Sequence, residues 1–213
     1  MFRLDIFIDP VCPWCLVGKA HLDNALASHP DHPFTILWHP FQLNPTLPAE
    51  GVAKRPYMEA IFGGAAQLDA AHDRLRDIAL TAGIDLDPTI SQHLPNTLNA
   101  HRLIHWAAIE GVQSAVVTAV FNAYWHLGLD IGDCDVLADI AAGAGMDRLA
   151  TLRLLQSDAD RDDILARDAD ARRKGVTSVP TYLIAQSYVV SGAQPAEVWT
   201  NIITELRGKM AVH

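Results

Sequence analysis

The chain has 213 residues, half of them hydrophobic, and a formal net charge of −9. That is enough to bury a core in one domain or two small ones, and no apolar run is long enough to cross a bilayer as a helix. The acidic balance argues against nucleic-acid backbones and anionic membranes as partners. The start, Met1-Phe2-Arg3-Leu4-Asp5-Ile6, lacks a secretory pattern, so the chain reads as cytoplasmic.

Phe2 to Ile8 begins as alternating polar and apolar residues and turns wholly apolar, the pattern of a strand entering a core. Asp9-Pro10 stops it, and Cys12-Pro13 opens a helix, because proline suits the first helical position. His29-Pro30 ends that helix. Phe34 to Phe41 is a second strand, ending or bulged at Pro40, which has no N–H for a ladder. Residues 44–56 hold Pro45, Pro48, Gly51 and Pro56 and read as a loop.

A long helical block follows. Helical spacing predicts Met58 to Phe62, Ala66 to Ala82, Thr97 to Ile109, Ser114 to Leu127 and Val136 to Ala144, the last closed by Gly145. Asp147 caps a helix to Gln156, and Asp160 to Lys174 ends at Gly175. The basic run Arg172-Arg173-Lys174 there serves the helix dipole. Strands return at Thr181 to Ile184 and Tyr188 to Val190, joined as a hairpin by Ala185-Gln186-Ser187. Pro195 opens a last helix to about Arg207.

The chain has three cysteines, too few for a disulfide framework. Cys12 and Cys15, however, stand in a C-x-x-C arrangement at a strand-to-helix junction. Disulfide exchange needs a thiolate, and unpaired amides and the dipole at a helix N-terminus favour negative sulfur there. Cys15 lies about one turn on and can reach its partner. Cys12 is therefore expected to be the exposed nucleophile and Cys15 the more buried, resolving thiol. Zinc would need further ligands, and neither a second cysteine pair nor a histidine pair at finger spacing after the cysteines is present. Two inert buried cysteines are the other alternative. Val179-Pro180 starts the strand after the helical block; were its bond cis, it could lie against the dithiol and leave backbone groups free for an extended substrate.

These residues carry a resemblance. Asp9-Pro10-Val11-Cys12-Pro13-Trp14-Cys15 with Gly18-Lys19, then Gly175-Val176-Thr177-Ser178-Val179-Pro180-Thr181, then Ser191-Gly192-Ala193-Gln194 resemble the DsbA family. Asn96-Thr97 and Ala100-His101-Arg102 resemble its cytoplasmic FrnE-like branch. The resemblance spans the chain and implies an α/β fold: a thioredoxin fold with a large all-helical insertion. Residues 1–50 and 175–213 would form the thioredoxin-like domain and 51–174 the insertion. It implies a thiol–disulfide oxidoreductase with Cys12 as nucleophile, Cys15 as resolving thiol and Pro180 as a cis-proline preceded by Val179. Two departures stand out: no cysteine follows Cys134, and Leu16 stands where many relatives have an aromatic residue.

Pro13, Trp14, Val179 and Pro180 are the expected substrate contacts. His101, Arg102 and His39 are candidates for facing the dithiol, where a cation favours a thiolate, although a helix-surface or interhelical role is the plainer reading of the first two. Trp38, Trp106, Trp125 and Trp199 read as core. Cys134 has acidic neighbours that disfavour ionisation. The implied partners are protein or small-molecule thiols and disulfides and a recycling redox partner, with glutathione as a thiol co-substrate and no metal. Two other functions stay open: a glutathione-dependent isomerase or transferase of small aromatic compounds on the same fold, in which serine typically stands at the position of Cys12, and a non-catalytic chaperone or interaction module.

Overall fold

A computed structural model of the chain describes residues 1–211. Strand β1 (Phe2–Ile8) leads into helix α1 (Pro13–Ser28) and strand β2 (Phe34–Pro40). A helical stretch follows: α2 (Lys54–Phe62), α3 (Ala65–Thr81), α4 (Leu98–Ile109), α5 (Gln113–Trp125), α6 (Cys134–Gly143), α7 (Arg148–Leu155) and α8 (Arg161–Arg173). Strands β5 (Thr181–Ile184) and β6 (Tyr188–Ser191) then precede α9 (Ala196–Ala211). Two short strands, β3 (Val52–Ala53) and β4 (His93–Leu94), pair antiparallel beside α2. The sequence pattern gave a loop at the first and nothing at the second, because two residues are too few to show a period.

The main sheet has the order β2-β1-β5-β6, with β1 and β2 parallel and the other pairs antiparallel. Side chains alternate across it. Leu4, Ile6 and Ile8 are buried on one face, where Ile6 pairs with Tyr182 and Leu4 with Ile184. Tyr182 meets Trp199 of α9 edge-on at 4.5 Å, and α9 packs on α1. Helices α4, α5 and α8 pack against β2.

Local chemistry sets the helix ends. Cys12 is the N-cap residue of α1, extended at φ −83° and ψ 116°, with Pro13 first in the helix. Asp147 caps α7 by accepting from the Ala150 amide, as its position predicts. Asp160 before α8 makes no such bond; its carboxylate accepts from the Trp106 indole at 2.8 Å.

Gly18 on α1 has a separate role. A Cβ there would come within 2.6 Å of the Tyr182 hydroxyl and 2.9 Å of Pro180 Cγ. Only a residue without a side chain lets α1 lie this close to β5 and the turn before it.

Candidate active site

Strand β1 delivers the chain to Asp9, a tight turn follows, and Cys12 sits at the start of α1. Its carbonyl accepts from the Cys15 and Leu16 amides at 3.1 and 3.3 Å, and its side chain makes no capping bond. The sulfur therefore sits at the positive end of the helix without capping it. Cys12 Sγ lies 3.6 Å from the Val179 carbonyl, to which the thiol donates. The Val179–Pro180 peptide bond is cis. Residues 167 positions apart in sequence thus meet at the sulfur.

Cys12 and Cys15 are both unbridged and buried, at the N-cap and in the first turn of α1. Burial pushes the Cys15 thiol well above the ordinary range; the neighbouring Cys12 side chain and its charge add to this, against the Asp9 backbone. One expectation is corrected here. Cys12 is 3% exposed rather than open, because the Val179 turn covers it, although Cys15 at 0% is the deeper of the two. Trp14, at 39%, is the exposed member of the motif, and Pro13 is half-buried.

A buried acid lies behind the pair. Asp9 is fully buried, and its Oδ2 accepts from the Leu43 amide at 2.7 Å. Burial raises its pKa to about 7, against hydrogen bonds from the Leu43 amide, the Thr97 side chain and the Val11 amide; Asp168 adds to the rise. Its charge in turn raises the Cys15 thiol. His101 Nε2 lies 3.8 Å from Asp9 Oδ1, and burial depresses that imidazole to about 4. In the sequence Asp9 reads as a strand stop and as the first residue of the Cys12 motif, with no chemical role of its own. The signal for more was its place, directly after an apolar strand and three residues before Cys12.

Residues 3–204 match the DSBA-like thioredoxin domain. The chain belongs to this family. The match covers the sheet, the dithiol and the helical stretch, so this is a DsbA-like thioredoxin fold with a helical insertion. The "probable DsbA oxidoreductase SCO1869" of Streptomyces coelicolor is 30% identical, with a TM-score of 0.86 over 98% of this chain and 91% of that one. The "Uncharacterized protein YwbO" of Bacillus subtilis is 26% identical over 97% of this chain and 98% of its own. Two more distant structures share the fold. The 2-hydroxychromene-2-carboxylate isomerase has a TM-score of 0.73 at 18% identity, covering 98% of each chain. The cytosolic disulfide reductase DsbM of Pseudomonas aeruginosa, solved with GSH, has 0.68 at 19%, covering 96% of this chain and 99% of its own. No described helix is long and apolar enough to cross a membrane.

In this DsbA-like fold the three candidate cations fare differently. His101 comes to the site through Asp9, but its depressed pKa leaves it neutral at neutral pH, so it brings no positive charge. Arg102 does not face the dithiol. Its guanidinium donates to Asn99 Oδ1 and to the carbonyls of Leu154, Leu155, Ser157 and Ala159, tying down the chain after α7. His39 lies on the other face of the sheet, because it pairs with Phe7 rather than with Ile6 or Ile8. There it stacks on Phe7 at 5.0 Å and meets Asp5 at 2.5 Å. Cys134 is raised first by burial and then by Asp133, with Arg102 opposing and Asp135 adding a little.

Proposed function

We propose that this DsbA-like protein is a thiol–disulfide oxidoreductase that exchanges disulfides with protein or small-thiol substrates through Cys12 and Cys15. One observation carries the reading: two free cysteines three residues apart, the first at a helix N-terminus and under the Val179 carbonyl.

In the reducing direction, the Cys12 thiolate attacks a substrate disulfide. A Cys12–substrate bond forms and one substrate sulfur leaves as thiolate. Cys15 then gives up its proton and attacks Cys12, releasing the second substrate thiol and closing the Cys12–Cys15 disulfide. Asp9 is the acceptor for that proton: it is buried beside Cys15 and, at about 7, is partly ionised near neutrality. The oxidising direction reverses these steps. Electrons pass between sulfurs, so the scheme needs no metal or nucleotide. Pro13, Trp14, Val179 and Pro180 contact the substrate in this reading. Glutathione or a thioredoxin-like protein recycles the pair, and the chain acts in the cytoplasm as a FrnE-like member.

The intact Cys12–Cys15 pair disfavours the isomerase alternative, in which serine typically stands at the first position. The test is redox equilibration with glutathione, with insulin reduction by the wild type and Cys12→Ser. We expect a defined dithiol/disulfide equilibrium and loss of reductase activity in the variant. Equal activity in the two proteins removes Cys12 from the mechanism.

A further inference from the structure

A groove opens beside the dithiol, and its charge runs against that of the chain. A cavity of about 310 Å³ has Trp14, Leu75 and Ile78 in its apolar wall. A second, of about 290 Å³, shares Lys54, Met58, His72 and Pro88 with it. Such volumes fall at the lower end of small-molecule sites. The chain has 25 acidic residues against 16 Lys and Arg. Yet the groove is lined by Lys54, Arg55, His72 and Arg74; Arg55 is ion-paired with Glu59 and Asp69, so Lys54 and Arg74 are the cations that face an incoming anion.

Lys54 is common to both cavities. It opens α2, and its side chain is buried. Its Nζ donates to the Pro88 carbonyl at 2.9 Å and lies 5.0 and 4.7 Å from the Tyr124 and Trp125 ring centroids. An ammonium has three donors, and among the described residues no carboxylate comes within ion-pair distance of this one. A buried cation without a counter-charge is costly to keep, so an anion entering the groove is favoured. Burial lowers the Lys54 pKa to about 8, against the charge of Asp87, which leaves it mostly protonated at neutrality. Trp125 links the groove to the dithiol: its indole donates at 2.9 Å to the carbonyl of Pro10, two residues before Cys12.

We propose that this groove binds small thiols and disulfides with an apolar body and a carboxylate, Lys54 holding the carboxylate while Trp14 covers the body beside Cys12. The proposal rests on the redox reading above and names a substrate class for it.

Two aromatic disulfides test it. 5,5′-Dithiobis(2-nitrobenzoate) carries two carboxylates, and 2,2′-dithiodipyridine carries none. With either, the Cys12 thiolate attacks the reagent disulfide and expels one aryl thiolate. Cys15 then loses its proton and displaces the second, so the dithiol is oxidised by two electrons and the reagent reduced by two. The readout is the ratio of second-order rates, anionic reagent over neutral. We expect it to fall about tenfold in Lys54→Met and roughly threefold in Arg74→Gln. It should hold in Arg153→Gln, which removes one positive charge at an exposed position of α7 outside the groove. A ratio unmoved in the groove variants, or falling as far in Arg153→Gln, overturns the proposal. Should Lys54→Met fail to fold, exposed Arg74 carries the same test. If the wild-type dithiol reduces neither reagent, the redox reading fails instead. The groove is then tested alone by fluorescence titration of Cys12→Ser with 1-anilinonaphthalene-8-sulfonate. Saturable binding weakened by Arg74→Gln supports an anion site, and no saturable binding overturns it.

Discussion

Asp9 Oδ1 and His101 Nε2 lie 3.8 Å apart, each side chain 1% exposed, directly behind the dithiol. Desolvation drives the two in opposite directions, the acid up to about 7 and the imidazole down to about 4. Between those values both are mainly neutral, so the pair is a buried polar contact rather than an ion pair.

This fixes a pH dependence. The Asp9 pKa is raised on folding, so its burial costs nothing below pH 4, a growing amount as pH rises from 4 to 7, and the full amount above 7. Asp9→Asn removes that cost. At pH 8 the variant should be more stable than the wild type by up to about 4 kcal/mol, from roughly three units at about 1.4 kcal/mol each. The difference should vanish near pH 4. His101, held low, destabilises the fold as pH falls below 6.5, equally in both proteins. Urea unfolding of the reduced proteins at pH 4.5 and 8 measures the gap; the same gap at both pH values contradicts this account of Asp9. Asp9→Asn should also slow the Cys15 step in single-turnover assays.

The contact of α1 with β5 depends on Gly18. Gly18→Ala places a methyl 2.6 Å from the Tyr182 hydroxyl and 2.9 Å from Pro180 Cγ. Tyr182 is 1% exposed and packed edge-on against the buried Trp199, so the ring has little room to yield. We expect a loss of about 2 kcal/mol, partly recovered in Gly18→Ala with Tyr182→Phe. Thermal unfolding of the three proteins decides it, and an unchanged midpoint in the single variant rules out the tight contact.

Arg102 holds the end of α7 and the turn after it in place. Arg102→Leu strands the carbonyls of Leu154, Leu155, Ser157 and Ala159 and should destabilise by on the order of 3 kcal/mol. Disulfide exchange per folded molecule should not change. A slowed exchange in a protein of wild-type stability would return Arg102 to the site.

Cys134 should be a slow thiol. Burial and Asp133 hold it protonated. With iodoacetamide at pH 7.5, peptide mapping should find it alkylated more slowly than free cysteine, and Cys134→Ser should exchange disulfides at the wild-type rate. Rapid alkylation would mean that its surroundings are less enclosed than described.

Much of this was legible in the chain. The strand at Phe2–Ile8 and the hairpin strand at Thr181–Ile184 have bounds that apolar runs and turn residues mark directly. The dithiol and Pro180 were visible as motifs, because a few residue types at fixed spacing carry that chemistry. What was not legible was three-dimensional direction. His39 faces away from the dithiol because of strand alternation in a register that only pairing sets. Arg102 and His101 are neighbours on one helix, yet one ties down a loop and the other meets Asp9. Asp9 shows in the sequence as a strand stop and a motif residue and no more, since burial, the source of its shifted pKa, is a property of the packed fold. The groove at Lys54 brings residues near positions 14, 54, 72 and 125 together, and no local pattern joins them.

In the proposed exchange Cys12 attacks and Cys15 resolves, and trapping with glutathione tells the two sulfurs apart. Wild type, Cys12→Ser and Cys15→Ser are each incubated with oxidised glutathione and peptide-mapped without reduction. The account predicts a Cys12–Cys15 disulfide in the wild type, a stable glutathione adduct on Cys12 in Cys15→Ser, and neither at Cys15 in Cys12→Ser. Adducts accumulating on Cys15 in Cys12→Ser while Cys12 stays unmodified in Cys15→Ser would contradict it.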